Sequence, residues 1–170
     1  MPARARAEGF VSPWLGVNFG NDSEEGDYAV GVNAGYMGAG IIGGEIGVGY
    51  SPDFFGESAP NHELDVMGNL IIGIPIGGTS GGGLRPYVTG GLGLIRTSIE
   101  TGVPNVGQNS DVGYNLGAGV MGYFGDHIGL RGDLRYFRTL NSEDLSAPGF
   151  PEIDLGSFNF WRASFGIVIR

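Results

Sequence analysis

Apolar residues alternate with polar or small residues along eight stretches of the chain. In the second stretch, Tyr28, Val30 and Val32 fall on one face, whereas Gly31 and Asn33 fall on the other. A period of two indicates a β-strand, because successive side chains of a strand point to opposite faces of the sheet. The eight predicted strands cover residues 10–19, 28–37, 42–50, 64–74, 88–94, 112–120, 128–136 and 160–169.

The connections between these stretches also alternate. Residues 37–41, 76–84 and 125–127 are short or glycine-rich, whereas residues 21–27, 51–63, 97–111 and 139–156 are polar and mostly longer. An even number of antiparallel strands with long loops at one end and tight turns at the other is typical of an outer-membrane barrel. The pattern therefore predicts an all-β fold, an eight-stranded antiparallel up-and-down transmembrane β-barrel. Its location would be the bacterial outer membrane, with periplasmic termini and extracellular long loops.

The domain organisation that follows is simple. Residues 10–170 are expected to form a single β-barrel domain, and residues 1–9 a processed N-terminal tail. The sequence Ala5-Arg6-Ala7 before Glu8 fits a cleavage site.

Composition decides which face of the barrel meets lipid. The chain has 35 glycines, and 41% of its residues are hydrophobic. An eight-stranded barrel has an interior just wide enough for side chains, so the face rich in glycine, serine and asparagine is expected inside. The aliphatic face is then expected to contact lipid. Aromatic residues near both strand ends predict two interfacial belts, namely Phe19, Tyr28, Tyr50, Tyr114, Tyr136 and Phe158 at one end and Phe10, Tyr36, Tyr87, Tyr123 and Phe124 at the other.

The charges sort by position along the chain. The 18 acidic residues and nine arginines give a net charge of −9, and no cysteine is present. Disulfides and thiolate zinc sites are therefore excluded, and the acidic balance argues against nucleic acid as a partner. Most acids lie in the long connections, and no metal site is expected there. We predict acidic extracellular loops that contain Asp22, Glu24, Glu25, Asp27, Glu143, Asp144, Glu152 and Asp154.

A second group of charges takes the inward parity of its strands. It forms a predicted lumen charge network of three acids and three arginines, Glu45, Asp65, Arg131, Asp133, Arg135 and Arg162. Buried charges must pair or be hydrated, and a balanced set favours pairing that plugs the lumen. Two alternatives remain open at this stage, a narrow ion or small-solute channel and an apolar-ligand-binding barrel.

Signals for catalysis are weak. His62 and His127 are the two histidines, and neither belongs to an evident Ser-His-acid set. Residues 38–43 and 117–122 match G-x-G-x-x-G, but neither segment opens a helix as a dinucleotide site requires. We therefore expect no enzyme and no cofactor, with a lipid A-modifying enzyme as the less favoured alternative.

Four segments carry a family resemblance over nearly the whole chain from Phe10. They are residues 69–75 (NLIIGIP), 85–94 (RPYVTGGLGL), 130–138 (LRGDLRYFR) and 160–169 (FWRASFGIVI). Together they resemble the outer-membrane β-barrel domain superfamily of small OmpA-like and OmpX-like barrels. The resemblance implies the fold and the location. The expected partners are outer-membrane lipid and lipopolysaccharide, the barrel-assembly machinery during insertion, and a protein partner at the loops.

Overall fold

The computed structural model describes residues 7–20, 27–52, 61–77, 81–99, 108–140 and 159–170. All regular secondary structure in these ranges is β-strand. The strands are β1 (Ala7–Phe19), β2 (Asp27–Gly38), β3 (Ile42–Pro52), β4 (Asn61–Gly73), β5 (Gly83–Ile99), β6 (Gln108–Tyr123), β7 (Ile128–Thr139) and β8 (Asn159–Ile169).

The eight strands close into one antiparallel barrel. Each strand pairs with the next along the chain, and β8 pairs with β1 through contacts such as Val11 with Ile169 and Phe19 with Trp161. Closure leaves no strand edge unpaired, which is how a sheet can satisfy its backbone groups in lipid. The predicted fold class is confirmed. Within the described residues, no helix has the length and apolar character needed to cross a membrane.

The aliphatic face of the barrel points outward. Leu15, Ile46 and Leu92 expose 68%, 64% and 62% of their surface, whereas Asn33 and Asn115, which take the inward parity, are buried. This arrangement is the reverse of a soluble barrel, in which the apolar face surrounds the interior. A water-facing wall of this composition would be costly, because apolar area gains about 25 cal/mol per Å² on leaving water.

Several strands are longer than the alternation of hydrophobic residues predicts. The first strand begins at Ala7, three residues before the predicted barrel domain. Likewise, β4 already begins at Asn61 and β6 at Gln108, inside the predicted long connections.

The predicted aromatic belts need a correction. Phe10, Tyr87 and Tyr123 are buried in the barrel interior, with exposures of 5%, 4% and 6%. They occupy inward positions at strand ends, so they pack inside the barrel instead of meeting lipid. The outward aromatics include Tyr28, Tyr36, Tyr50, Phe124 and Trp161, whereas Phe158 lies outside the described residues.

A tight turn joins β2 to β3 at the short-turn end. Ile41 donates its backbone N–H to the Gly38 carbonyl, and the two central residues Ala39 and Gly40 both have positive φ. Positive φ at both central positions matches the right-handed twist of a hairpin, and Gly40 adopts it without steric cost.

Large inward side chains lie next to glycines on the neighbouring strand. The register pairs Trp14 with Gly31, Tyr87 with Gly119, and Arg135 with Gly117. A Cβ atom on Gly119 would overlap the Tyr87 ring and the backbone carbonyl of the adjacent strand. The glycines therefore provide the volume that large inward residues fill.

This packing predicts that alanine substitution at two nearby glycines changes the stability of the barrel by different amounts. Gly119→Ala should destabilise the barrel by about 1–3 kcal/mol, because the added methyl group overpacks the interior. Gly132→Ala is the matched control, since Gly132 faces outward and its added Cβ meets nothing within 4 Å. Urea unfolding of both variants in detergent micelles measures the difference. Equal stabilities of the two variants would contradict the packing role.

Candidate functional site

The barrel interior contains three clusters of charged residues at successive depths. The upper cluster, toward the long connections, consists of Arg162, Glu63, Asp65, Asn18 and Ser51. The middle ring consists of Glu45, Arg131, Asp133 and Arg135. The lower cluster, toward the short turns, consists of Glu8, Arg85, Arg170 and Tyr123.

The middle ring is a closed cycle of four ion pairs. Glu45 accepts from Arg131 Nη1 at 2.5 Å and from Arg135 Nη2 at 2.8 Å. Asp133 accepts from Arg131 Nε at 2.7 Å and from Arg135 Nε at 3.1 Å. Two carboxylates and two guanidinium groups balance each other, which buried charges require.

Neutral groups add further hydrogen bonds to this ring. Arg131 Nε also donates to the Tyr87 hydroxyl at 2.8 Å. Asn69 donates to Glu45 Oε1 at 3.4 Å and accepts from Asn115 Nδ2 at 2.7 Å. The hydrogen-bonded layer thereby extends from β7 to β3, β4, β5 and β6.

The upper cluster is built around Arg162. Its Nη1 atom lies 2.5 Å from Asp65 Oδ2, its Nη2 atom 2.9 Å from Glu63 Oε2, and its Nε atom 2.8 Å from Asn18 Oδ1. Ser51 accepts from Asn18 Nδ2 at 2.8 Å and donates to Glu63 Oε2 at 3.1 Å. One guanidinium group thus organises two carboxylates and two neutral polar side chains.

The lower cluster closes the short-turn end. Glu8 Oε2 lies 3.1 Å from Arg85 Nη2 and 3.5 Å from Arg170 Nη1. Arg170 also donates to the backbone carbonyls of Gly81 and Asp126 at 2.8 and 2.7 Å. Its guanidinium carbon lies 4.0 Å from the centroid of the Tyr123 ring, a cation–π contact. Arg170 thereby links β8 to two of the short turns.

Aromatic rings cover the faces of the guanidinium groups. Arg162 lies 4.9 Å from the Phe137 ring centroid and 5.3 Å from those of Phe160 and Trp14. The rings of Phe137 and Phe160 stack with centroids 4.9 Å apart. A guanidinium group bonds in its plane and stacks on its faces, so this surrounding suits arginine and would not suit lysine.

The strand positions of these ion pairs share one geometric property. Glu45 on β3 bonds β7, Arg162 on β8 bonds β4, and Glu8 on β1 bonds Arg85 on β5. In a closed barrel of eight strands, strands four apart lie on opposite walls. Each cluster therefore crosses the full width of the lumen.

A small cavity separates the middle ring from the upper cluster. Its volume is about 20 Å³, and Asp65, Arg135, Arg162 and Trp14 contribute to its lining. A space of this size accommodates about one water molecule. It is far smaller than the open bore of a porin, which needs 16 or more strands.

All six residues of the predicted lumen charge network are buried in the interior. The structure divides them into two clusters, with Asp65 and Arg162 apart from the other four residues. The alternation does not predict the inward position of Glu63, because residues 51–63 read as a long connection although Glu63 shares the inward parity of Asp65. It also missed Arg85, which shares the parity of the inward Thr89.

Most residues of the predicted acidic loops lie outside the described residues, namely Asp22, Glu24, Glu25, Glu143, Asp144, Glu152 and Asp154. The predicted loop position of Asp27 is corrected, because Asp27 is the first residue of β2 and lies opposite Asn18 of β1. His62, expected in a loop, belongs to β4, and its ring centroid lies 5.9 Å from that of Tyr50. Across the described ranges, no group of three or more His, Asp or Glu side chains is arranged to hold a metal ion.

A family comparison and a structure comparison agree with this architecture. The family model described as "Outer membrane protein beta-barrel domain" matches residues 1–166. No curated protein matches the sequence.

Three solved structures resemble the chain over nearly its whole length. Neisserial surface protein A (NspA) has a TM-score of 0.71 at 14% identity, covering 96% of this chain and 98% of its own. The N-terminal β-barrel domain of Pseudomonas aeruginosa OprF has a TM-score of 0.62 at 17% identity, covering 95% of each chain. P. aeruginosa outer membrane protein H (OprH), solved in micelles, has a TM-score of 0.57 at 21% identity, covering 94% of this chain and 97% of its own. At these identities the likeness shows the fold alone.

The middle ring makes a prediction about stability. Glu45→Gln should cost about 3–5 kcal/mol of unfolding free energy, because it leaves two buried guanidinium groups with one carboxylate. Asp126→Asn is the control, since Asp126 is exposed in a short turn, where it accepts the Gly81 backbone N–H, whereas the Glu45 side chain is fully buried. The control should lose about 1 kcal/mol or less. Urea unfolding in micelles followed by tryptophan fluorescence compares them, and equal losses would contradict a dominant role for the middle ring.

Proposed function

The chain belongs to the outer membrane protein beta-barrel domain family, and from this premise we propose that it is a structural protein of the outer membrane with a plugged lumen. In this proposal the barrel anchors its long connections at the cell surface, where they contact partners. The observation that carries the proposal is the set of ion pairs that join opposite walls at three depths.

The ion pairs favour a plug over a pore for an energetic reason. Opening a path along the axis would separate Glu45 from the arginines of β7 and Arg162 from its carboxylates. Removing one partner of a buried ion pair costs about 3–5 kcal/mol, and an open path must break several such pairs together. The cavity of about 20 Å³ between the middle ring and the upper cluster is consistent with this closed state.

The proposed partners follow from the surfaces of the barrel. The outward aliphatic side chains suit the hydrocarbon of the outer membrane, and the end with the long connections would meet lipopolysaccharide. The barrel-assembly machinery would act during insertion, and a protein partner would bind the acidic loops. The proposal assigns no catalytic step, because the two histidines lie at opposite ends of the barrel. His62 packs against Tyr50 near the long connections, and His127 lies in the short turn between β6 and β7.

A closed lumen predicts that the protein does not conduct ions. The folded protein in planar lipid bilayers should give no stable, reproducible conductance steps, because wall-to-wall ion pairs block the axis. The double variant Glu45→Gln/Arg135→Gln is the comparison, since it weakens the middle ring while conserving net charge. Reproducible single-channel conductance of the unmodified protein would overturn the plug and favour the narrow-channel alternative.

The proposed orientation can be tested with single cysteines, because the native chain contains none. Glu57→Cys lies in a long connection and Gly125→Cys in a short turn. A membrane-impermeant maleimide on intact cells should label the first variant, and the second only after permeabilisation. Labelling of Gly125→Cys alone in intact cells would reverse the assigned topology.

A further inference from the structure

The three interior clusters differ in their balance of charge. The middle ring has two carboxylates and two guanidinium groups, whereas the lower cluster has one carboxylate, Glu8, and two arginines. The upper cluster has the opposite imbalance, because Glu63 and Asp65 share one arginine, Arg162. If both carboxyl groups were ionised, the upper cluster would contain an excess negative charge inside the barrel.

Glu63 is removed from water. Its side chain is fully buried, and that of Asp65 is 5% exposed. The Oε2 atom of Glu63 accepts from Arg162 Nη2 at 2.9 Å and from Ser51 Oγ at 3.1 Å. Its Oε1 atom is also buried, and none of the residues that the structure describes donates a hydrogen bond to it. A buried, charged oxygen without a donor is strongly unfavourable.

The polar neighbours of Glu63 direct their protons elsewhere. The hydroxyl proton of Ser51 goes to Glu63 Oε2, and Asn18 Nδ2 donates to Ser51. Asp65 follows two residues later on the same inward face of β4, and its carboxyl lies within hydrogen-bonding reach of the Glu63 carboxyl. Two ionised carboxylates can only accept, so neither satisfies the other. A proton on Glu63 removes this conflict, because the new O–H group donates to Asp65.

The other charged groups at this end of the interior do not restore the balance. Asp27 on β2 and Asp111 on β6 are further acids, and both are partly exposed, so that water can hydrate them. Arg135 lines the same small cavity as Asp65, but it is bonded to both carboxylates of the middle ring. The inward residues from β1, β3, β5 and β7 at this depth are uncharged, namely Asn18, Ser51, Thr97 and Thr139.

We propose that Glu63 and Asp65 form a proton-binding site, in which one proton taken up from solvent is held between the two carboxyl groups. The pair then has a single negative charge, which Arg162 balances. The inference rests on the proposed function, since it explains how the upper cluster of the plug avoids an excess charge. Loss of the proton leaves that charge buried and weakens the contact between β4 and β8.

Such a site makes the stability of the barrel depend on pH. A proton that the folded barrel holds and the unfolded chain does not is released on unfolding, so rising pH favours unfolding. The unfolding equilibrium constant should increase about tenfold per pH unit while this difference lasts. The stabilisation is complete below about pH 4.3, where a free glutamate is protonated. It is lost as the pH rises to the value at which Glu63 ionises in the barrel.

The test compares the unmodified protein with Glu63→Gln by urea unfolding in detergent micelles, between about pH 5 and about pH 9. Glutamine is uncharged and donates from its amide, as the protonated acid does. The variant should match the unmodified protein at the acid end. It should become the more stable of the two as the pH rises, by up to about tenfold per pH unit in the unfolding equilibrium constant. Titration of the two histidines is common to both proteins and cancels in the comparison.

Glu45→Gln is the matched control, because Glu45 is equally buried but belongs to the middle ring, where carboxylates and guanidinium groups are equal in number. It should be less stable than the unmodified protein at every pH and should retain the pH dependence. If Glu63→Gln instead lost stability at every pH as Glu45→Gln does, Glu63 would be ionised and the proton site would be overturned.

Infrared spectroscopy detects the proton without any substitution. At about pH 7 exposed carboxyl groups are ionised, so a carboxylic-acid carbonyl band that shifts in D2O should report the shared proton. The band should persist in Glu45→Gln and disappear in Glu63→Gln. Its absence from the unmodified protein would overturn the proposal, even if Glu63→Gln failed to fold.

Two further outcomes separate this site from its alternatives. Stability that depends on the sodium concentration at constant ionic strength, and not on pH, would overturn the proton in favour of a bound metal cation. Neither the unfolding nor the infrared measurement depends on whether the lumen conducts. Stable ionic conductance would therefore overturn the proposed plug, while the pH profile and the carbonyl band would still decide the proton site.

Discussion

The ion pairs that cross the lumen from one wall to the opposite wall are the interactions on which the structure depends most. Glu45 joins β3 to β7, Arg162 joins β8 to β4, and Glu8 joins β1 to β5. Backbone hydrogen bonds fix each strand only to its neighbours, whereas these pairs fix opposite walls to each other. Buried ion pairs contribute little net stability compared with a well-packed apolar core, but breaking one of them is expensive. They therefore restrict the interior to one arrangement.

Glycine makes this arrangement possible. An eight-stranded barrel leaves an interior that side chains fill, so arginine, tryptophan and tyrosine need space that their cross-strand neighbours do not occupy. Gly117 beside Arg135, Gly31 beside Trp14 and Gly119 beside Tyr87 provide that space. The high glycine content is a packing requirement of the narrow lumen, and it coexists with an outer wall of exposed aliphatic residues.

The fold could be predicted from alternation because lipid and lumen select different residue types on every strand. The strand ends could not be predicted in the same way, because the inward residues there are themselves charged or aromatic. Glu63 lies just before the predicted start of β4 and therefore resembles a loop acid. Tyr87 lies just before the predicted start of β5 and therefore resembles an interfacial aromatic residue. The division of six inward charges between two clusters depends on which strands face each other across the barrel. The inward or outward parity of a residue does not tell which strands face each other.

The central claim is that side chains on opposite walls are energetically coupled, and a double-mutant cycle on Asp65 and Arg162 measures this most directly. Urea unfolding of the unmodified protein, Asp65→Asn, Arg162→Gln and the double variant gives the coupling free energy. These side chains lie 2.5 Å apart between β4 and β8, so a coupling of about 1–3 kcal/mol is expected. Additive effects, with a coupling near zero, would contradict a lumen held by wall-to-wall ion pairs.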